Sequence, residues 1–208
     1  MHVMGGGDVG GAKTQIMNTV TGLNRNNDVM LISFRAGPFA DEARERGIDV
    51  RVIERHNPFR AARTMRDLVD EFKPDIIHCH GWMTALAPLY IKKAYKDEPS
   101  FRDAKVIFSL YEDDFKQPFH ADFSNKLLLK GIAKKDIAGL KEPIDYTALC
   151  KLAADFSDGI IQQSEHVNEE VLNYARESGK PVLEYQSPEN FAEACNDFYD
   201  KVWETEQK

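Results

Sequence analysis

Short apolar runs alternate with stretches of helical period along almost the whole chain, and this alternation constrains the fold more than any other feature. Residues 29–34 (VMLISF), 50–53 (VRVI), 76–80 (IIHCH), 106–111 (VIFSLY), 159–161 (GII) and 181–185 (PVLEY) read as strands, with 2–4 (HVM) as a stub of another. The central ones are apolar on both faces. A strand wetted on one side would alternate, so these belong to a mostly parallel sheet covered on both sides. Between them, apolar residues recur at helical spacing: Ala12, Ile16, Val20 and Leu23; a short piece from Phe39 to Arg46, stopped by Gly47; then Phe59, Ala62, Met65, Val69 and Phe72 after Pro58. Further helices are expected through Ala85, Leu86, Leu89 and Ile91, as a basic piece near Lys126 to Lys135, over 148–156 and 167–176, and through Phe191, Ala194, Cys195, Phe198 and Val202. The fold class is therefore α/β, a doubly wound, mostly parallel, Rossmann-like sheet. All 208 residues are expected in one domain, with the less regular stretch 112–146 as an insertion or active-site loop.

Composition narrows the function classes. A net charge of -7 argues against a nucleic-acid binder, whose affinity rests on basic surface. Cys79, Cys150 and Cys195 lie far apart without a C-x-x-C pair, which suits a reducing, cytoplasmic setting. No run approaches the 18 or so apolar residues a membrane span needs, and the start does not read as a signal peptide.

Doubly wound sheets bind ligands beyond the carboxyl ends of their strands. The first such place is the stretch MHVMGGGDVGGAKTQ, with five glycines among residues 5–11. Gly5, Gly7 and Gly10 satisfy the dinucleotide pattern G-x-G-x-x-G. That reading needs an acid at the end of the second strand for the ribose hydroxyls. The sequence there is Ser33-Phe34-Arg35, and Arg35 suits only an NADP-type phosphate. An ATP-type cradle fails differently, because Ala12 separates Gly11 from Lys13-Thr14. Glycines this dense mean that something approaches the backbone closely, and amides at a helix start form an anion site unaided.

The stretch GGGDVGGAKTQIMNTVTGLNRNNDVMLISFRAGPFADEARERGIDVRVI, continued by KPDIIHCH, resembles the start of a retaining GT-B glycosyltransferase of glycosyltransferase family 4, over about residues 1–80. From PDIIHCHGWMTALAPLYIKK onward, residues 74–208 are similar instead to short bacterial glycogen and starch synthase-like proteins. Two branches of one superfamily thus meet near 74–82, which points to a chimera, either engineered or a natural mosaic. The resemblance implies the N-terminal, acceptor-side half of a GT-B enzyme, with a nucleotide sugar and a glucan as ligands, no cofactor, and a monomer or homodimer. An isolated half would not turn over alone. The alternatives are a small active glycosyltransferase that completes its cleft by oligomerisation or with a partner donor domain, and an NADP-binding oxidoreductase.

By the same resemblance Gly10 and Gly11 face the donor diphosphate, with Lys13 beside them. His80 matches the second histidine of H-x-H at the reaction centre. Trp82 and Glu112 join the binding site. One departure weighs against synthase chemistry: where synthases carry Asp-Trp-His, this chain has Gly81-Trp82-Met83, and a thioether neither donates a hydrogen bond nor transfers a proton. His78 and His80 share a strand face, but a metal site needs further ligands that the spacing does not supply, so none is expected. Glu112, Asp113 and Asp114 follow the fifth strand, either as a solvated loop or as a cleft lining.

Overall fold

The computed structural model describes residues 1–5, 11–54, 58–120 and 122–205. Seven strands form one sheet: β1 (His2–Met4), β2 (Met30–Ser33), β3 (Asp49–Val52), β4 (Ile76–His80), β5 (Lys105–Leu110), β6 (Gly159–Gln162) and β7 (Val182–Leu183). Their order is β3-β2-β1-β4-β5-β6-β7, and every pairing is parallel. The doubly wound α/β class is as the sequence indicates. Strand order reverses direction between β1 and β4, which makes the crevice beyond their carboxyl ends the topological switch point.

The helices are α1 (Gly11–Leu23), α2 (Pro38–Glu45), α3 (Pro58–Phe72), α4 (Ala87–Leu89), α5 (Pro99–Arg102), α6 (Phe123–Lys126), α7 (Tyr146–Asp155), α8 (Glu169–Glu177) and α9 (Phe191–Glu204). The side chains of Phe59 and Ala62 on α3 lie outside the described residues. Strand parity sorts the core into two layers. Val3, Ile32, Ile77, Cys79, Val106 and Phe108 face α3, α7 and α8. Met4, Leu31, Ile107 and Ile161 face α1, α2 and α9.

Two helical expectations are corrected. The helix expected through 85–91 is instead a 3-10 turn (Trp82–Thr84), the short α4 and a π-helical turn (Tyr90–Ala94). Pro88 stands at the start of α4, where its missing N–H costs nothing, and it cannot extend a helix backwards. The basic helix expected near 126–135 is replaced by α6, which ends at Lys126, and a 3-10 turn at Lys134–Ile137. Gly131, in the middle of that stretch, takes a left-handed φ of 98°, and a right-handed helix cannot run through it.

Candidate functional site

Three groups of residues meet at the switch-point end of the sheet. The first is the junction of β1 with the turn after β4. Gly5 ends β1, and a Cβ built on it would lie 2.7 Å from Met83 Cβ. The glycine is thus required by a methionine, and Met83, 38% exposed, stands beside the root of the glycine loop. Gly10, in the loop itself, lies outside the described residues; Gly11 begins α1.

The second group surrounds Asp113. Gly81 has a left-handed φ of 71°, and a Cβ there would lie 2.6 Å from Asp113 Oδ2. That approach lets the Trp82 backbone N–H donate to Asp113 Oδ2 at 3.3 Å, while the Tyr146 hydroxyl donates to Oδ1 at 3.0 Å. Burial pushes the Asp113 carboxyl up to about 6, against the pull of those two donors. Glu112 and Asp114 on either side are exposed, and Asp114 accepts a 2.9 Å bond from Asn168. Of the three acids after the fifth strand, only the middle one turns inward. Next to it the Trp82 ring meets Phe115 at 4.9 Å between centroids, and Phe115 continues to Phe119 and Phe123 as a ladder of half-buried rings.

The third group lies beneath, on the α1/α9 face of the sheet. His2 pairs with His78 across β1 and β4, and His80 lies two residues further on. All three imidazoles are buried. His2 Nδ1 is 3.0 Å from His80 Nε2; His80 Nδ1 is 2.7 Å from the Tyr111 hydroxyl. His78 Nδ1 is 2.6 Å from the Tyr199 hydroxyl of α9, and its Nε2 is 2.5 Å from Ser109 Oγ. Loss of hydration holds His2 and His78 far below the usual imidazole range, and His80 at about 3, so all three are neutral near pH 7.

Against this geometry the sequence-derived residues separate. Trp82 joins the switch-point crevice through its backbone and ring. Lys13 turns toward α2, with Nζ 3.7 Å from Glu42 and 5.6 Å from the centroid of the Phe39 ring. Glu112 points to solvent, as does Arg35. His80 has both ring nitrogens engaged by protein groups and presents no edge to the crevice. His2, Tyr111, Tyr199 and Tyr146 are the residues whose part the sequence did not single out, and the sequence marks Asp113 only as one of three acids after the fifth strand. Strand parity could have flagged Tyr111, two residues beyond Ser109, but α9 brings Tyr199 in from 121 residues away.

The model of the starch synthase catalytic domain matches residues 35–184, most of the chain. The chain belongs to the starch synthase catalytic domain family. Among relatives of this starch synthase-family chain, glycogen synthase of Desulfitobacterium hafniense is 30% identical over 115 residues, 54% of this chain and 22% of that protein. Glycogen synthase 2 of Geobacter metallireducens is 35% identical over 71 residues, 32% of this chain and 15% of that one. The matched segments therefore span about a fifth or less of these relatives. Among solved structures, Anabaena Alr3699/HepE in complex with UDP superposes with a TM-score of 0.51 at 13% identity, covering 94% of this chain and 48% of that one. The same protein in complex with UDP and glucose gives 0.50. This second likeness carries the fold alone. The NADP reading through Gly5, Gly7, Gly10 and Arg35 finds no support in the starch synthase family match. No helix among the described residues is long and apolar enough to cross a membrane.

Proposed function

We propose that this chain is the N-terminal, acceptor-side domain of a GT-B, glycogen synthase-like glycosyltransferase, which receives a nucleotide sugar weakly at its glycine loop and transfers no sugar by itself. The observation that carries the reading is the family match over residues 35–184, lying on a single doubly wound sheet. The glycine loop leaves β1 at the switch point of that sheet, where the amides of Gly10 and Gly11 would meet a diphosphate at the start of α1. Sugar transfer needs a proton donor or acceptor in reach of the reacting oxygens. Met83 supplies none, and His80 has both nitrogens occupied within the protein. Of the binding residues the resemblance names, Trp82 stands in the crevice, while Lys13 and Glu112 would have to turn from α2 and from solvent to reach a bound nucleotide sugar. The reading holds whether the segments on either side of 74–82 share one ancestry or two, since both resemblances are to the same half of the same fold.

The test is direct. Incubating the chain with labelled ADP-glucose or UDP-glucose and a glycogen primer should give no incorporation above a protein-free control. The same nucleotides at millimolar concentration should raise the melting temperature, because a ligand of the folded state alone must stabilise it. Transfer that is lost in His80→Ala would overturn the absence of turnover. A melting temperature unmoved by any nucleotide sugar would overturn the binding role.

A further inference from the structure

We propose that His2, His78 and His80 form a binding site for a borderline-soft transition-metal ion such as Zn2+, enclosed between the sheet and α9. One ligand nitrogen from each residue lies within 4.8 Å of the others. Two of them, His2 Nδ1 and His80 Nε2, are already 3.0 Å apart. Nitrogens on a tetrahedral zinc, at 2.0–2.1 Å from the metal, stand roughly 3.4 Å from one another. With no pair of ligand atoms farther apart than 4.8 Å, at most about 1.4 Å remains to be closed.

The surroundings are arranged as metal-bound imidazoles require. Such a ring presents one nitrogen to the ion, and its other N–H is held by an oxygen that fixes tautomer and orientation. Here the Nδ1 atoms of both His78 and His80 are held by tyrosine hydroxyls, Tyr199 at 2.6 Å and Tyr111 at 2.7 Å. With the proton of His78 and His80 on Nδ1, each Nε2 keeps its lone pair, and the hydrogen that His2 Nδ1 donates to His80 Nε2 in the metal-free protein would move to His2 Nε2 when the ion takes its place. His80 Nε2 then faces His2, and His78 Nε2 faces Ser109 Oγ, which in turn lies 3.5 Å from Gln163 Oε1. Ser109 is the oxygen in place to complete a fourth position. Three neutral nitrogen donors select zinc-like ions over magnesium or calcium, which want oxygen. The site is separate from the crevice at the glycine loop, and its test does not depend on sugar transfer.

The site is closed in the folded protein, so loading is best tested through refolding. The full chain is unfolded in guanidinium with chelator, refolded with one equivalent of Zn2+, and passed through a desalting column before metal analysis. About one zinc per chain should be retained, with a higher melting temperature than the zinc-free refolded protein. Refolding with Co2+ should give the intense visible bands of a tetrahedral site. His2→Gln and His78→Gln should each lose the retained metal, whereas His120→Gln and His166→Gln, at exposed positions, should keep it. Should the buried variants fail to fold, Tyr199→Phe keeps all three ligands and removes only the oxygen on His78 Nδ1; its zinc affinity should fall 10–100-fold. Refolded wild-type protein that keeps no zinc overturns the proposal. So does zinc retained equally by His78→Gln and His120→Gln, or an affinity unchanged in a folded Tyr199→Phe.

Discussion

Asp113 shows how a single side chain acquires a property its sequence neighbours lack. Glu112, Asp113 and Asp114 are chemically alike in the sequence, and strand parity cannot say which of the three turns inward once β5 has ended. The left-handed turn at Gly81 decides it by admitting the carboxylate against the Trp82 amide. The cost is a proton held more tightly in the folded state, near pH 6, than the value of 3.8 for a free side chain. Between those pH values the folded protein keeps a proton that the unfolded chain has released. Stability from this group is therefore greatest in acid, falls as pH rises from about 4 to 6, and is level above, by up to about 3 kcal/mol. Urea midpoints of wild type and Asp113→Asn, compared at pH 4.5 and 7.5, should show the variant gaining relative to wild type at the higher pH. A gain at the lower pH would refute the assignment. The histidines carry a similar lesson. Parity places His78 and His80 on one face from sequence alone, but the third imidazole enters through the pairing of His2 with His78, and no spacing reveals which strand lies beside β4.

Among the elements, the long periodic ones were readable and the short ones were not. α3, α9 and the strands β2, β4, β5 and β6 follow directly from their apolar periods. The region after β4 failed because its apolar residues suit several helical geometries, and Pro88 interrupts all of them. What periodicity could not show is that α9, late in the chain, packs against α1, near its start. Gly22 makes that contact possible: a Cβ on it would lie 2.4 Å from Ala192 Cβ. Exchanging glycine for alanine in a helix normally gains up to about 1 kcal/mol, but here the clashing carbon is fixed to backbone, so the helices must separate. Gly22→Ala should lower stability by about 1–3 kcal/mol. Gly22→Ala with Ala192→Gly should recover much of that loss, with a coupling energy above about 1 kcal/mol in a double-mutant cycle. Additive effects would mean that the helices do not meet there.

For the whole molecule, the class of fold was evident in the sequence because strands apolar on both faces leave few architectures open. The order of the strands was not, since parallel neighbours are set by crossovers and not by local residues. That order matters for the suggested junction at 74–82. The junction falls in β4, which is paired on both sides, to β1 from the first segment and to β5 from the second. Neither segment can bury its edge without the other. The chain should therefore unfold in one transition, with far-UV circular dichroism and the fluorescence of Trp82 and Trp203 changing together in urea. Two separated transitions would show that the segments fold independently.

The position of α9 also sets an order in time. The face of the sheet covered by α3, α7 and α8 has all its helices once residue 177 has been synthesised. The opposite face waits for residues 191–204, although β1, β2, β4 and α1 are made long before. During synthesis the imidazoles of β1 and β4 therefore meet water, and whatever the water carries, for an interval that ends only when the last helix arrives to close over them.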